Sequence, residues 1–309
     1  WGIDEKALPY FQTLHSMAFR SGGYSSDEVM DKDDLKKIGE AVGIPFGNKK
    51  ASIETDFDTL GVSKGDFYMS QYHLARSKRI PLEEMHRQLA DYSIDFPELV
   101  SAYEGYKSVR SKIDFTDMIE NFIRSDAPPG IEALFVDEAQ DLSTLQWAMI
   151  DVLRQTPRIQ VFTGDDDQAI MGFQGADVQA FLNATEKKTV LSQSYRLPRA
   201  AWREAQNIVS RIEGRAPKIW RPRDEEGIVQ FHQNIWDVPL HEGEWCLMAR
   251  TNRIAAQYAY ALRQEGWIYS RNGHPSIPVK TYEALQSWED WCKGVAITPD
   301  KLRNIYTFM

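Results

Sequence analysis

Cysteine is scarce. Only Cys246 and Cys292 occur among 309 residues, in no metal-like spacing, which argues against a disulfide framework and suits a reducing compartment. The six histidines form no HxxxH or HExxH cluster, so no zinc site is expected. Long apolar runs are missing as well. None approaches the roughly 18–20 residues that cross a bilayer, and the opening WGIDEKALPY lacks the basic-then-apolar order of a signal peptide. Nor does the chain open with Met, which fits a piece of a longer protein. Basic charge falls short of acidic charge, with 36 Lys and Arg against 45 Asp and Glu and a net charge of −9. That balance argues against indiscriminate nucleic-acid binding. The shortfall is uneven, because residues 199–223 hold seven basic residues against two glutamates, a local balance of +5. Such a segment is compatible with gripping a polyanion in one groove.

What is present fits a soluble α/β protein of about two domains. Residues 25–112 are charged and helical in pattern, with breaks expected at GIPFGN (43–48), Pro81 and Pro97. From 131 the texture changes. IEALFV (131–136), RIQVFT (158–163) and KTVLSQ (188–193) read as strands. Between the first two, DLSTLQWAMIDVLRQ (141–155) places Leu142, Leu145, Met149, Ile150 and Leu153 on one helical face. Ser143 followed by Gln146 is a capping box. Strand, helix, strand with short connections predicts a βαβ unit and a parallel sheet. A second unit is expected from strands at GIVQFHQ (227–233) and EWCLMAR (244–250), then a helix over 252–266 closed by Gly266. The tail 281–309 is helical in pattern.

The chemistry sits at the strand ends. LFVDEAQD (134–141) drives a strand into Asp137 and Glu138, at the end of a parallel sheet where ligands bind. One carboxylate there can hold Mg²⁺ and a second can orient or deprotonate a water. The alternative is a pair of acids favoured by the next helix's dipole. The second strand also ends in acids, Asp165, Asp166 and Asp167, then Gln168. So many like charges in one cleft require a cation or polar partners, which points to a metal–phosphate site. Phe173, between Gly172 and Gly175, either stacks on a nucleobase or anchors its loop in the core. SQSYRLP (192–198) brings Tyr195 and Arg196. An arginine fork at the crevice rim matches a γ-phosphate, and a surface ion pair is the plainer alternative.

In order and spacing, LFVDEAQD, FTGDDDQAIMGFQGAD (162–177) and LSQSYRLP (191–198) resemble motifs II, III and IV of the UvrD/Rep-like superfamily 1 DNA helicases. TLHSMAFR (13–20) resembles the family's motif that contacts single strands. YEGYKSVRSKIDFTDMI (103–119) resembles the segment ending in DFxD ahead of motif II, and CLMARTNRIAAQYAYALRQEGWIY (246–269) the opening of the second motor domain. The resemblance implies two RecA-like parallel-sheet motor lobes with a helical insertion in the first. Residues 1–24 and 113–197 would form the first lobe, 25–112 its insertion, 198–280 part of the second lobe, and 281–309 the start of a second insertion. It implies ATP and Mg²⁺ as cofactors, with Asp137 on Mg²⁺, Glu138 activating water, Gln168 sensing the γ-phosphate and Arg196 acting as an arginine finger. Tyr195 and Gln140 would lie on the nucleotide side. His15, Phe173, Arg250 and Asn252 would contact DNA. The partners implied are single-stranded DNA and duplex junctions, with no membrane, in a cytoplasmic, nucleoid-associated setting in a bacterial or phage-infected cell.

The activity implied is an ATP-dependent DNA helicase or translocase moving 3′ to 5′. A non-catalytic DNA-binding relative and a helicase–nuclease subunit are the alternatives. KGDFYMSQYHLARSKR (64–79) reads either as a duplex contact or as a solvated helix face. Three features depart from the pattern. No GxxxxGK[ST] phosphate loop precedes TLHSMAFR, and GIPFGNKKAS (43–52) has neither its spacing nor its place. The family's later motifs do not appear, so truncation at both ends is expected. Met171 and Gln174 stand where motif III usually has Tyr and Arg.

Overall fold

The computed structural model describes residues 11–47, 63–89 and 94–308. WGIDEKALPY and the lysine-bearing end of GIPFGNKKAS lie outside the described residues. The described residues fall into two compact units, one up to Asp237 and the other from Val238 onward. No described helix is long and apolar enough to cross a membrane.

The first unit is helix-rich α/β with a small parallel sheet. Helix α1 (Leu14–Ser21) starts where the Thr13 hydroxyl accepts the Ser16 N–H. Helices α2 (Lys32–Val42), α3 (Lys64–Ser77), α4 (Leu82–Gln88) and α5 (Asp95–Arg110) fill the block expected to be helical. Asp31 and Ser63 cap α2 and α3, Gly43 closes α2 at φ 72°, and Pro81 separates α3 from α4. Pro97 does not break the chain. It lies in the first turn of α5, where its missing N–H has no helical acceptor to lose. Helix α6 (Phe115–Ser125) leads into β1 (Ala133–Val136), then α7 (Thr144–Leu153) and β2 (Ile159–Phe162). The two strands pair in parallel, Leu134 opposite Gln160 and Phe135 opposite Val161. The Ser143–Gln146 capping box starts α7 as expected. Short α8 (Val178–Leu182) and α9 (Arg199–Val209) follow.

Two apolar cores form in this unit. One joins Met17 of α1, Met118, Ile119 and Phe122 of α6, Leu134 of β1, and Leu145, Met149, Ile150 and Leu153 of α7. The other lies wholly in the helical block, around Tyr68, Tyr72, Phe96, Leu99 and Tyr103. The sheet therefore packs on one face only, and Phe135, Ile159 and Val161 on the other face are exposed.

Three expected strands do not form. Residues 188–193 make one isolated parallel bridge, Gln193 with Arg221, and Leu191 is exposed. Residues 227–233 and 244–250 are irregular, with Ile228, Phe231, Trp245 and Met248 exposed. Alternating apolar residues become a strand only when a neighbour completes the ladder and a layer covers one face. Apart from the Gln193–Arg221 bridge, no such neighbour pairs with these stretches among the described residues. Among the described residues, the unit from Val238 onward shows no parallel strands. It holds α10 (Asn252–Gln264), a two-stranded hairpin of β3 (Ser270–Arg271) and β4 (His274–Pro275), and the packed helices α11 (Val279–Cys292) and α12 (Pro299–Phe308). Asn272 and Gly273, both at positive φ, make the tight turn that Asn-Gly favours.

Candidate functional site

Beyond β1 and β2 the backbones stay zipped together. The Thr163 N–H donates to the Val136 carbonyl at 2.8 Å and the Ala139 N–H to the Thr163 carbonyl at 2.9 Å. This sets the Thr163 hydroxyl 2.7 Å from Asp137 Oδ1, an oxygen that also accepts the Glu138 N–H at 3.0 Å. Asp137 Oδ2 has no hydrogen bond among the described residues. A hard oxygen with solvent access suits Mg²⁺, which takes one or two carboxylates and completes its shell with water and phosphate.

Glu138 occupies the left-handed region at φ 50°, ψ 41°, a conformation that costs a non-glycine residue about 1–2 kcal/mol. Its carboxylate Oε2 accepts the Gln140 Nε2–H at 2.8 Å. Gln140 is 1% exposed, and its Oε1 accepts the Asp165 N–H at 3.1 Å. The amide thus uses both polar ends inside the protein, bridging the loops that follow β1 and β2. Room for it depends on Gly164, where a Cβ would lie 2.4 Å from Gln140 Oε1. Burial, and then the Glu138 charge, push the neighbouring Asp141 carboxyl upward.

The acids after β2 find their cations within the chain. Lys218 Nζ lies 2.5 Å from Asp165 Oδ1 and 3.1 Å from Asp167 Oδ2, and it also contacts Asp166. Arg215 grips Asp167 with two bonds of 2.7 and 2.6 Å, and the Ala216 N–H donates to Asp166 at 2.7 Å. The three carboxylates lie close enough together to ligate a metal, and Lys218 and Arg215 offset two of their three charges. At these three acids, part of the crowded charge is offset by two side chains of the chain itself. Burial opposes ionisation of Asp165, but the Lys218 and Gln168 hydrogen bonds outweigh it and hold its pKa down.

The other expected site residues are distributed as follows. Gln168 is exposed and donates through Nε2 to Asp165 Oδ2 at 2.7 Å, which joins it to Glu138 through Asp165 and Gln140. Phe173 rides an exposed 3₁₀ turn, Met171–Gln174. The turn ends at Gly175 (φ 100°), whose missing Cβ would meet Ser77 and Lys78 at 3.3 Å. Tyr195 is 86% exposed. Neither it nor Arg196 makes a side-chain bond to the acids among the described residues. His15 packs edge-on against Phe115, ring centroids 5.8 Å apart, and burial lowers its pKa. In the second unit Arg250 is exposed, and Asn252 begins α10 after the Thr251 cap.

The DFTD stretch carries a role that its sequence did not reveal. Asp114 and Asp117 form a capping box at the start of α6, and their carboxylates also receive two cations from the helical block. Arg76 of α3 reaches Asp114 at 2.9 Å, Asp117 at 2.7 Å and Glu120 at 2.9 Å. Lys107 of α5 reaches Asp114 at 3.0 Å and Asp117 at 2.8 Å, and the Tyr103 hydroxyl donates to Asp114 at 3.1 Å. Burial opposes ionisation of Asp114. His73, Arg76 and Lys107, with the Asp117 N–H, outweigh it and hold the carboxyl well below the usual range.

Fold and site together define a helix-rich α/β protein in which two parallel strand ends converge on linked carboxylates and a glutamine. Residues 28–189, just over half of the chain, match the UvrD/REP helicase N-terminal domain, and the chain belongs to that family. It is similar to the ATP-dependent DNA helicase PcrA of Staphylococcus epidermidis, 27% identical over 256 residues, which cover 74% of this chain and 34% of the relative. It is likewise similar to PcrA of Staphylococcus aureus, 27% identical over 256 residues, with 74% and 33% covered. The chain thus spans about a third of the length of these curated relatives.

Proposed function

We propose that this chain is part of an ATP-dependent DNA helicase or translocase that moves 3′ to 5′ on single-stranded DNA and acts at duplex junctions. The observation that carries the reading is the continuous chain of contacts from Glu138 through Gln140 and Asp165 to Gln168. It ties a candidate base to a candidate phosphate-sensing group across two strand ends. Glu138 takes the proton of the attacking water, Gln168 faces the γ-phosphate, and Arg196 supplies positive charge where it develops. Asp137 would hold Mg²⁺, and the ion would supply positive charge against the phosphates. Tyr195 offers an exposed ring for the adenine, while Phe173, His15, Arg250 and Asn252 meet DNA. Residues 25–112 serve as the insertion of the first motor lobe. Residues 198–280 and 281–309 begin the second motor region and its insertion.

The test is DNA-stimulated ATP hydrolysis by the full-length protein. Glu138→Gln should lower kcat by about 10²–10⁴-fold, the usual contribution of a positioned base, with DNA affinity unchanged. Unaltered turnover in Glu138→Gln overturns the role given to Glu138, and a wild-type protein without DNA-stimulated hydrolysis favours a non-catalytic relative.

A further inference from the structure

The segment 215–223 touches both loops that the proposed reaction needs. At its start, Lys218 and Arg215 hold Asp165, Asp166 and Asp167. At its end it runs beside the Tyr195–Arg196 loop. The Arg221 N–H donates to the Ser192 carbonyl at 2.7 Å, the Ser194 N–H to the Arg221 carbonyl at 2.8 Å, and the Arg223 N–H to the Leu197 carbonyl at 2.9 Å. Gln193 Nε2 adds a bond to the Pro222 carbonyl at 3.0 Å. The Asp165 carboxylate is the joint. One oxygen receives Lys218 Nζ at 2.5 Å and the other the Gln168 amide at 2.7 Å.

We infer that Lys218 is a positioning residue for Gln168: by fixing the Asp165 carboxylate it sets the direction of the Gln168 amide, and the segment 215–223 holds that amide in register with Tyr195 and Arg196. This rests on the reading that Gln168 serves ATP hydrolysis. The physical basis is the rotational freedom of the parts. An exposed glutamine has several accessible rotamers, and one bond to a carboxylate selects among them only if the carboxylate is itself held. Lys218 is partly buried and meets three acids at once, so its ammonium is fixed from three sides. A small displacement of a group that must face the reacting phosphate can cost about 100-fold in rate.

The experiment is steady-state ATP hydrolysis by the full-length protein on saturating single-stranded DNA, with thermal melts of every variant. Lys218→Met should lower kcat roughly 10- to 100-fold while leaving KM for ATP within about twofold, and Lys218→Arg should recover most of the loss. Combined with Gln168→Ala, Lys218→Met should add no further loss in kcat, because the group it positions is gone. Losses that multiply in the double variant, or a Lys218→Met enzyme equal to wild type, overturn the positioning role. If Lys218→Met fails to fold, Asp165→Asn carries the same test, since it keeps the shape and removes the charge that Lys218 holds. Losses from Gln168→Ala and Glu138→Gln with an additive Lys218 leave the ATPase reading standing and remove this inference. Intact turnover in both removes the two together.

Discussion

Gln140 shows how much one buried side chain can decide. Its amide has a donor on Glu138 and an acceptor facing the Asp165 N–H, so removing it strands a buried polar group and frees the strained Glu138. Gln140→Ala should cost about 1–3 kcal/mol of stability, the usual penalty for a buried unsatisfied group, read from urea unfolding. Gly164→Ala attacks the same bridge from the other side. A Cβ 2.4 Å from Gln140 Oε1 must displace that oxygen, and overpacking of this kind costs about 1–3 kcal/mol. Both variants should also lower DNA-stimulated turnover. Wild-type turnover in a destabilised Gln140→Ala protein would show that Glu138 is placed by its own backbone.

At the scale of elements, the start of α6 and the docking of α3 and α5 depend on the same carboxylates. Asp114→Ala removes a helix cap and leaves Arg76 and Lys107 short of a buried partner. Breaking such a pair costs about 3–5 kcal/mol, measurable as a fall in Tm. Asp114→Asn keeps an oxygen for the cap and isolates the charge. Because the folded pKa of Asp114 is depressed, the unfolded chain binds this proton first. The stabilisation is therefore complete above the unfolded value of about 3.9 and is lost as pH falls below it. Urea midpoints should drop between pH 5 and pH 3, and less steeply in Asp114→Asn. On the loop that leans on α3, Phe173→Ala should weaken single-strand binding by about 1–3 kcal/mol if the ring stacks on a base, as seen in fluorescence anisotropy. Unchanged affinity would return Phe173 to a packing role.

For the whole molecule, the basic stretch 199–223 stands against a net charge of −9, and the fold pairs much of it with acids, several of them at the surface. Arg199 pairs with Asp224, Arg203 with Glu226 and Arg223 with Glu225, besides the Lys218 and Arg215 contacts. A residue that contacts phosphate contributes about 0.7–0.9 to the slope of log K against log salt. Replacing Arg199, Arg203 and Arg223 together by Ala should leave that slope nearly unchanged for an oligonucleotide. A drop of two or more would show that these arginines leave their acids for DNA. The sequence made local features legible, namely the Ser143–Gln146 cap, the face of α7 and the acids after β1 and β2, because each depends on neighbours three or four positions away. It did not disclose Lys218 on Asp165 or Arg76 on Asp114, since such pairs span 53 and 38 residues and any acid would have satisfied the same composition. The strands expected at 188–193, 227–233 and 244–250 failed for a related reason. Alternation reports a side chain's preference for a buried face, while a strand also needs a neighbour with free backbone groups.

The Arg76–Lys107 cluster has a further consequence, for hydrogen exchange. The two apolar cores of the first unit meet at the first turn of α6, whose amides are protected by the same carboxylates that dock α3 and α5. Opening the helical block therefore exposes the α6 amides at once, and the two cores should exchange as one cooperative unit. In native-state exchange at low urea, the slow amides of α3, α5 and α6 should merge onto a single opening curve. In Arg76→Met they should separate into two, with α6 opening independently of the block that once held its cap.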